Sequence, residues 1–164
     1  MVRKMVLTAA MMLLALPTLA SAQADEVRVT ASVANVADLS GSGDLDFGTL
    51  DAVNGNTINA AGGAGSAQRT LDYNHDVTVT FTNVPAVLVS GSNTLAVSLM
   101  CAAVIGAGSW TVPAACGSAS IDLDVGPGFT QATLGFGGSI LAAAIANAIA
   151  GDYEATFDIV VTAR

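Results

Sequence analysis

Of 164 residues, 52% are hydrophobic, 11% charged and 5% aromatic, and 13 acidic residues oppose 5 Lys and Arg for a formal net charge of −8. That length suits one domain; the acidic balance excludes nucleic-acid binding, which needs clustered Lys and Arg, and low charge with high hydrophobicity excludes a disordered chain. One His, two Cys and no Lys after Lys4 leave little for catalysis, so an exported structural module is expected rather than an enzyme, and no cofactor or metal is implied.

The N-terminus reads as a processing segment. Arg3 and Lys4 precede an apolar run, Met5 to Ala20, and two A-x-A patterns follow as Ala20-Ser21-Ala22 and Ala22-Gln23-Ala24. A charged start, a short apolar stretch and small residues at the exit are the order of a secretory signal peptide. Residues 1–24 are therefore expected to be removed, leaving 25–164 as a single mature domain outside the cytoplasm. The run is short for a bilayer span of roughly 20 residues, so no stable membrane insertion is expected after cleavage. The mature part carries Arg28, Arg69 and Arg164 against all 13 acidic residues.

From there onward, apolar and polar residues alternate in short runs, the pattern of half-buried strands. Val27, Val29, Ala31 and Val33 come first, then Leu45 and Phe47 between Asp44, Asp46 and Gly48. Val77, Val79 and Phe81 alternate with threonines, and Leu95, Val97 and Leu99 follow the same rule. Ile121, Leu123 and Val125 alternate with Asp122 and Asp124. The last run sets Tyr153, Ala155, Phe157, Ile159 and Val161 against Glu154, Thr156, Asp158 and Thr162. Gly-, Ser- and Asn-rich stretches separate the runs, as at 40–43, 54–56, 60–66, 90–93 and 126–128. Six or more strands punctuated this way predict an all-β sandwich or barrel. Residues 139–150, SILAAAIANAIA, fit either a helix, through Leu141, Ile145 and Ile149, or a strand near 134–142 followed by a loop or short turn.

Cys101 and Cys116 are 15 residues apart in a chain bound for an oxidising compartment, which predicts a disulfide. A metal pair is disfavoured because His75 alone cannot complete a four-ligand site with them. His75 itself reads as a turn residue. No G-x-S-x-G, G-x-G-x-x-G, H-E-x-x-H or C-x-x-C motif occurs. Asp44-x-Asp46 and Asp122-x-Asp124 place paired carboxylates on one strand face, and the wet face of a sandwich accounts for them better than calcium. Trp110 falls inside the expected disulfide loop and reads as a core plug beside the bridge, with sugar stacking as the other role.

Two motifs go further. Leu45-Asp46-Phe47-Gly48-Thr49 early in the chain, and Gly151-Asp152-Tyr153 opening the final alternating run, resemble the spore coat protein U family and a related exported domain family of unknown function. Both are similar to the archaic chaperone–usher pilins. The stretches 76–83 and 135–140 fit the same pattern, whereas the cysteine that many relatives carry just after the N-terminal strand is missing between Leu39 and Gly43.

The resemblance implies an immunoglobulin-like, pilin-like sandwich lacking one strand, which a neighbouring subunit donates. It assigns Val27, Val29, Ala31 and Val33 to the donor strand and the run from Tyr153 through Ala155, Phe157 and Ile159 to Val161 to an edge of the acceptor groove. Residues 25–37 are then either a donated strand or the domain's own first strand. The expected function is a secreted subunit of a pilus, extracellular fibre or surface coat. Its partners would be copies of itself, with a periplasmic chaperone and an outer-membrane usher in transit. The other reading is an exported carbohydrate- or calcium-binding module built around Trp110 and the Asp pairs.

Overall fold

An alternating segment becomes a strand only where a neighbouring segment takes up its backbone hydrogen bonds. The computed structural model describes residues 31–118, 120–128 and 130–164; the expected signal peptide and the donor residues Val27 and Val29 lie outside them. Val33–Arg164 form one compact unit. Its strands are β1 (Ala37–Ser40), β2 (Asn56–Ile58), β3 (Ala67–Tyr73), β4 (Val77–Thr82), β5 (Val87–Ser90) and β6 (Asn93–Ala96). They continue as β7 (Ser98–Ile105), β8 (Ala114–Ala115), β9 (Ser120–Leu123), β10 (Thr130–Ile140) and β11 (Asp158–Ala163). A short helix, α1 (Ala142–Ala146), and a 3-10 turn at Cys116–Ser118 complete the elements of the described residues.

The expected all-β class holds, and every strand pair among the described residues is antiparallel. One sheet has the order β1-β3-β10-β7-β8, with β2 also on β10; a second runs β11-β4-β9; β5 and β6 form a hairpin. Gly91, at φ 60°, supplies the positive φ that the first position of this hairpin's two-residue turn requires.

The inward faces of the two larger sheets share one apolar core. Val77, Val79 and Phe81 of β4 are buried, while Thr78, Thr80 and Thr82 face outward. Opposite them stand Leu71 and Tyr73 of β3 and Leu134 and Phe136 of β10. Phe81 meets Phe136 edge-to-face at 5.8 Å between ring centroids, an arrangement that matches ring edge to ring face. Each such fully buried Val, Leu or Phe contributes about 1.5–3 kcal/mol. Tyr73 is fully buried, with its hydroxyl 3.4 Å from the Asp124 carbonyl oxygen. Burial first, and then the Asp124 and Asp76 charges, raise its phenol above the ordinary value of 10.0.

Cys101 of β7 and Cys116 form the expected disulfide, with Cα atoms 5.1 Å apart and both residues buried. The turn holding Cys116 packs on β4 and β7 together, so the bridge closes one flank of the space between the sheets.

Several expectations need correction. Residues 44–50 keep the alternation, with Leu45 and Phe47 half-buried and Asp44 and Asp46 exposed, yet form no strand. Only Asp46 N–H finds a neighbouring backbone, the Gly65 carbonyl at 2.9 Å, so no ladder forms. The last run is likewise not one strand: Glu154 makes a single bridge to Val89, and pairing with β4 resumes only at Asp158. Residues 139–150 combine both options, since β10 runs to Ile140 and α1 follows. That helix stops after five residues, and Leu141 and Ile149 are exposed. Among the described residues no helix is long and apolar enough to cross a membrane.

Trp110 is not a core plug. Leu134 and Phe136 point into the core, so Gly135 between them and Gly137 just after them face the other side of the sheet. There the backbone of residues 58–60 and the Trp110 ring lie against them. The indole covers the outer face of β10, where glycine leaves room for it.

Candidate functional site

Among the described residues, β1 is an outermost strand of one sheet and β11 of the other. A groove of about 1320 Å³ opens between the segment that follows β1 and the one that leads into β11. Residues 43–50 form one wall and 151–159 the other, and Leu95, Leu99, Phe136 and Ile140 form the floor.

The walls are built by parity. Leu45 and Phe47 turn toward the floor because they occupy alternate positions, leaving Asp44 and Asp46 at the rim. Arg69 Nη1 ties this wall down by donating to the Gly43 and Gln68 carbonyls at 2.8 and 2.9 Å. Asp46 also accepts from Gly48 N–H at 2.7 Å, which bends the chain as Gly48 leaves the wall. On the other wall, Phe157 reaches the floor, 5.5 Å from Phe136 and 6.4 Å from Phe81 between centroids. Tyr153 donates its hydroxyl to the Ile149 carbonyl at 2.7 Å, and Glu154 exchanges backbone bonds of 2.9 and 3.1 Å with Val89. The cavity is therefore apolar below and acidic at its mouth, where Asp152 and Glu154 join Asp44 and Asp46.

Of the residues assigned from sequence to the groove edge, Tyr153, Ala155, Phe157 and Ile159 line this cavity. Val161 shares the face of Ile159 on β11 and packs on the core beyond it. The facing wall at 43–50 was not assigned to a groove from sequence, although the same-face spacing of Leu45 and Phe47 was its signal. Ile145 and Ala148, which reach the cavity from α1 and the turn after it, carried no such signal. Ala31 and Val33 are exposed and outside any strand, Val33 at 85%.

The residues of the binding-module reading are not assembled. Trp110 lies against β10 of one sheet, whereas Asp122 is on β9 of the other. Asp122 accepts from the Thr78 hydroxyl at 2.6 Å and lies 3.7 Å from Arg164, which also pairs with Asp124. The hydrogen bond to Asp124 is the main reason the Arg164 pKa is raised. His75 sits in the turn after β3, beside Asn74. Among the described residues, no group of three or more His, Cys, Asp or Glu is placed to hold a metal ion.

No family model, curated protein or solved structure matches this chain.

Proposed function

We propose that this chain is an exported structural subunit of a fibre, pilus or surface coat, polymerising when the N-terminal strand of one copy fills the groove of the next. The carrying observation is the groove: an apolar floor lies between two segments, 43–50 and 151–157, that make no continuous ladder among the described residues. A strand laid there would gain backbone hydrogen bonds, and its alternate side chains would enter the apolar floor, the physical mode of β-augmentation. Val27, Val29, Ala31 and Val33 supply such side chains on one face, with Arg28, Thr30 and Ser32 on the other. Arg28 would then lie toward a rim of carboxylates. Each valine so buried contributes about 1.5–3 kcal/mol, whereas an empty groove leaves edges and apolar surface that invite aggregation.

On this reading the unit is an immunoglobulin-like sandwich short of one strand, in keeping with the resemblance of its LDFGT and GDY motifs to spore coat protein U and the archaic pilins. Export, a periplasmic chaperone and an outer-membrane usher belong to the same proposal.

Because Ala37 pairs with Tyr73 in β1 and Val36 bonds to Asn74, the donated part of 25–37 ends at Val33, and the test compares the mature chain, a deletion of residues 25–33 and Val29→Asp by electron microscopy and thermal unfolding. Wild type forms heat-resistant polymers; the deletion gives a labile unit rescued by the 25–33 peptide in trans. Val29→Asp forms no fibres, because a charge cannot enter the apolar floor unpaired. A stable wild-type monomer under every condition would overturn the reading.

A further inference from the structure

The chain enters β1 through a side-chain clamp. Asn74, in the turn after β3, donates from Nδ2 to the Ala34 carbonyl at 2.9 Å and accepts at Oδ1 from Val36 N–H at 2.8 Å. Its backbone N–H donates to the Val36 carbonyl at 3.2 Å. The amide thus presents to residues 34–36 the acceptor and donor that a further residue of β3 would have presented. His75 Nδ1 lies 3.1 Å from the same Oδ1, a second contact on the amide. The ladder begins next door, with Ala37 opposite Tyr73, and no turn or bend interrupts Val33–Val36. Residues 34–36 are therefore held as an extension of β1 beyond the last residue of β3.

Direction follows from register. β1 runs from Ala37, opposite Tyr73, to Ser40, opposite Thr70, and the groove wall at 43–50 continues from its far end. For a segment preceding Val33 to fill the groove of its own chain, the backbone would have to reverse around 33–36 and run back along the outer edge of β1. Resting on the donor-strand reading above, we propose that Asn74 is a positioning residue that blocks this reversal, so that the groove is filled by residues 25–33 of a second copy and not by the chain's own. An asparagine side chain suits this role because it carries a donor and an acceptor side by side, like a peptide group.

The experiment uses the full mature chain with an aliphatic diazirine residue replacing Val29, prepared as light and nitrogen-15 pools, mixed, assembled and photolysed. Mass spectrometry of the cross-linked peptides distinguishes pairs within one chain from light–heavy pairs. In the wild-type background, cross-links to the groove, at Phe157 or Leu45, are expected as light–heavy pairs. Asn74→Ala is expected to raise the same-chain share roughly tenfold, the scale set by losing two modest hydrogen bonds. Asn74→Asp, which keeps the acceptor for Val36 N–H, falls between, and thermal unfolding of both variants checks that they fold. Light–heavy pairs with an unchanged ratio in both variants would overturn the clamp and leave the donor-strand reading standing, whereas same-chain cross-links in the wild type would overturn both. Absence of any cross-link to the groove would overturn that reading and the clamp with it.

Discussion

Gly135 lies directly beneath the Trp110 indole: a Cβ at that position would fall 2.8 Å from Cζ3 and 3.0 Å from Cη2 of the ring, and against the carbonyl oxygen of Ala60. Gly137, two residues on, meets the backbone of Ile58, Asn59 and Ala60 in the same way. The glycines of β10 are thus a crossing point. The chain between β2 and β3 passes over the central strand, and Trp110 covers what remains.

Gly135→Ala and Gly137→Ala are therefore expected to destabilise by about 1–3 kcal/mol or more, because the added methyl meets backbone rather than a side chain that can turn away. Gly117→Ala, whose Cβ would have only Val84 at 3.7 Å, should stay within about 0.5 kcal/mol. Urea unfolding of the three variants checks the contrast.

Replacing Cys101 and Cys116 together by Ala should lower stability by about 3 kcal/mol, the loop-closure value for 15 residues. A bridged pair offers no thiol, so alkylation of the denatured protein without reductant should add no mass. Two alkylated cysteines in secreted protein would refute the bridge.

Tyr73 makes the fold sensitive to alkali. Its folded pKa is raised by burial and by the Asp124 and Asp76 charges, so its contribution is fully present below the unfolded value near 10. As pH rises past that value the unfolded phenol ionises while the buried one resists, and stability falls. Melting temperature should drop as pH rises past about 10, and Tyr73→Phe should drop less. Equal losses in the two proteins would exclude Tyr73 as the cause.

Phe157→Ala should cost roughly 1–3 kcal/mol, since it removes two edge-to-face aromatic pairs worth about 0.5–1.5 kcal/mol each. The same change enlarges the groove floor. Calorimetric titration of the 25–33 peptide into the 25–33 deletion should show weaker binding for this variant, and unchanged affinity would mean that the strand does not reach the floor.

N-terminal sequencing of exported protein should begin near Gln23 or Asp25, where the two A-x-A sites follow the apolar run. Membrane-bound material still beginning at Met1 would remove the basis for an oxidising compartment and for a free N-terminal strand.

Much of this was legible without coordinates. Alternation identified the inward residues Val77, Val79 and Phe81, and also Leu95, Val97 and Leu99, although the chain breaks between β6 and β7 at Val97. It marked Leu45, Phe47 and Phe157 as facing one side, because side chains in an extended chain point alternately whether or not a partner is present. The spacing of Cys101 and Cys116 and the leader-like N-terminus together gave the disulfide.

Periodicity reports a face and is silent about the partner. That 44–50 and 153–157 end without a continuous ladder, although they alternate as well as β4 does, depends on what stands beside them. So does their meeting across one groove, about a hundred residues apart in sequence. The glycines at 135 and 137 read as loose punctuation until the backbone of 58–60 and the Trp110 ring are seen lying on them. Asn74 reads as an ordinary turn residue until Ala34 and Val36, about forty positions away, are seen bonded to it. The sequence by itself determined which side chains seek the core and in which compartment the chain is expected to work. Only the tertiary structure decided which edges stay open, because backbone hydrogen bonds are satisfied by whatever strand the fold brings alongside, and no local pattern encodes a neighbour that distant.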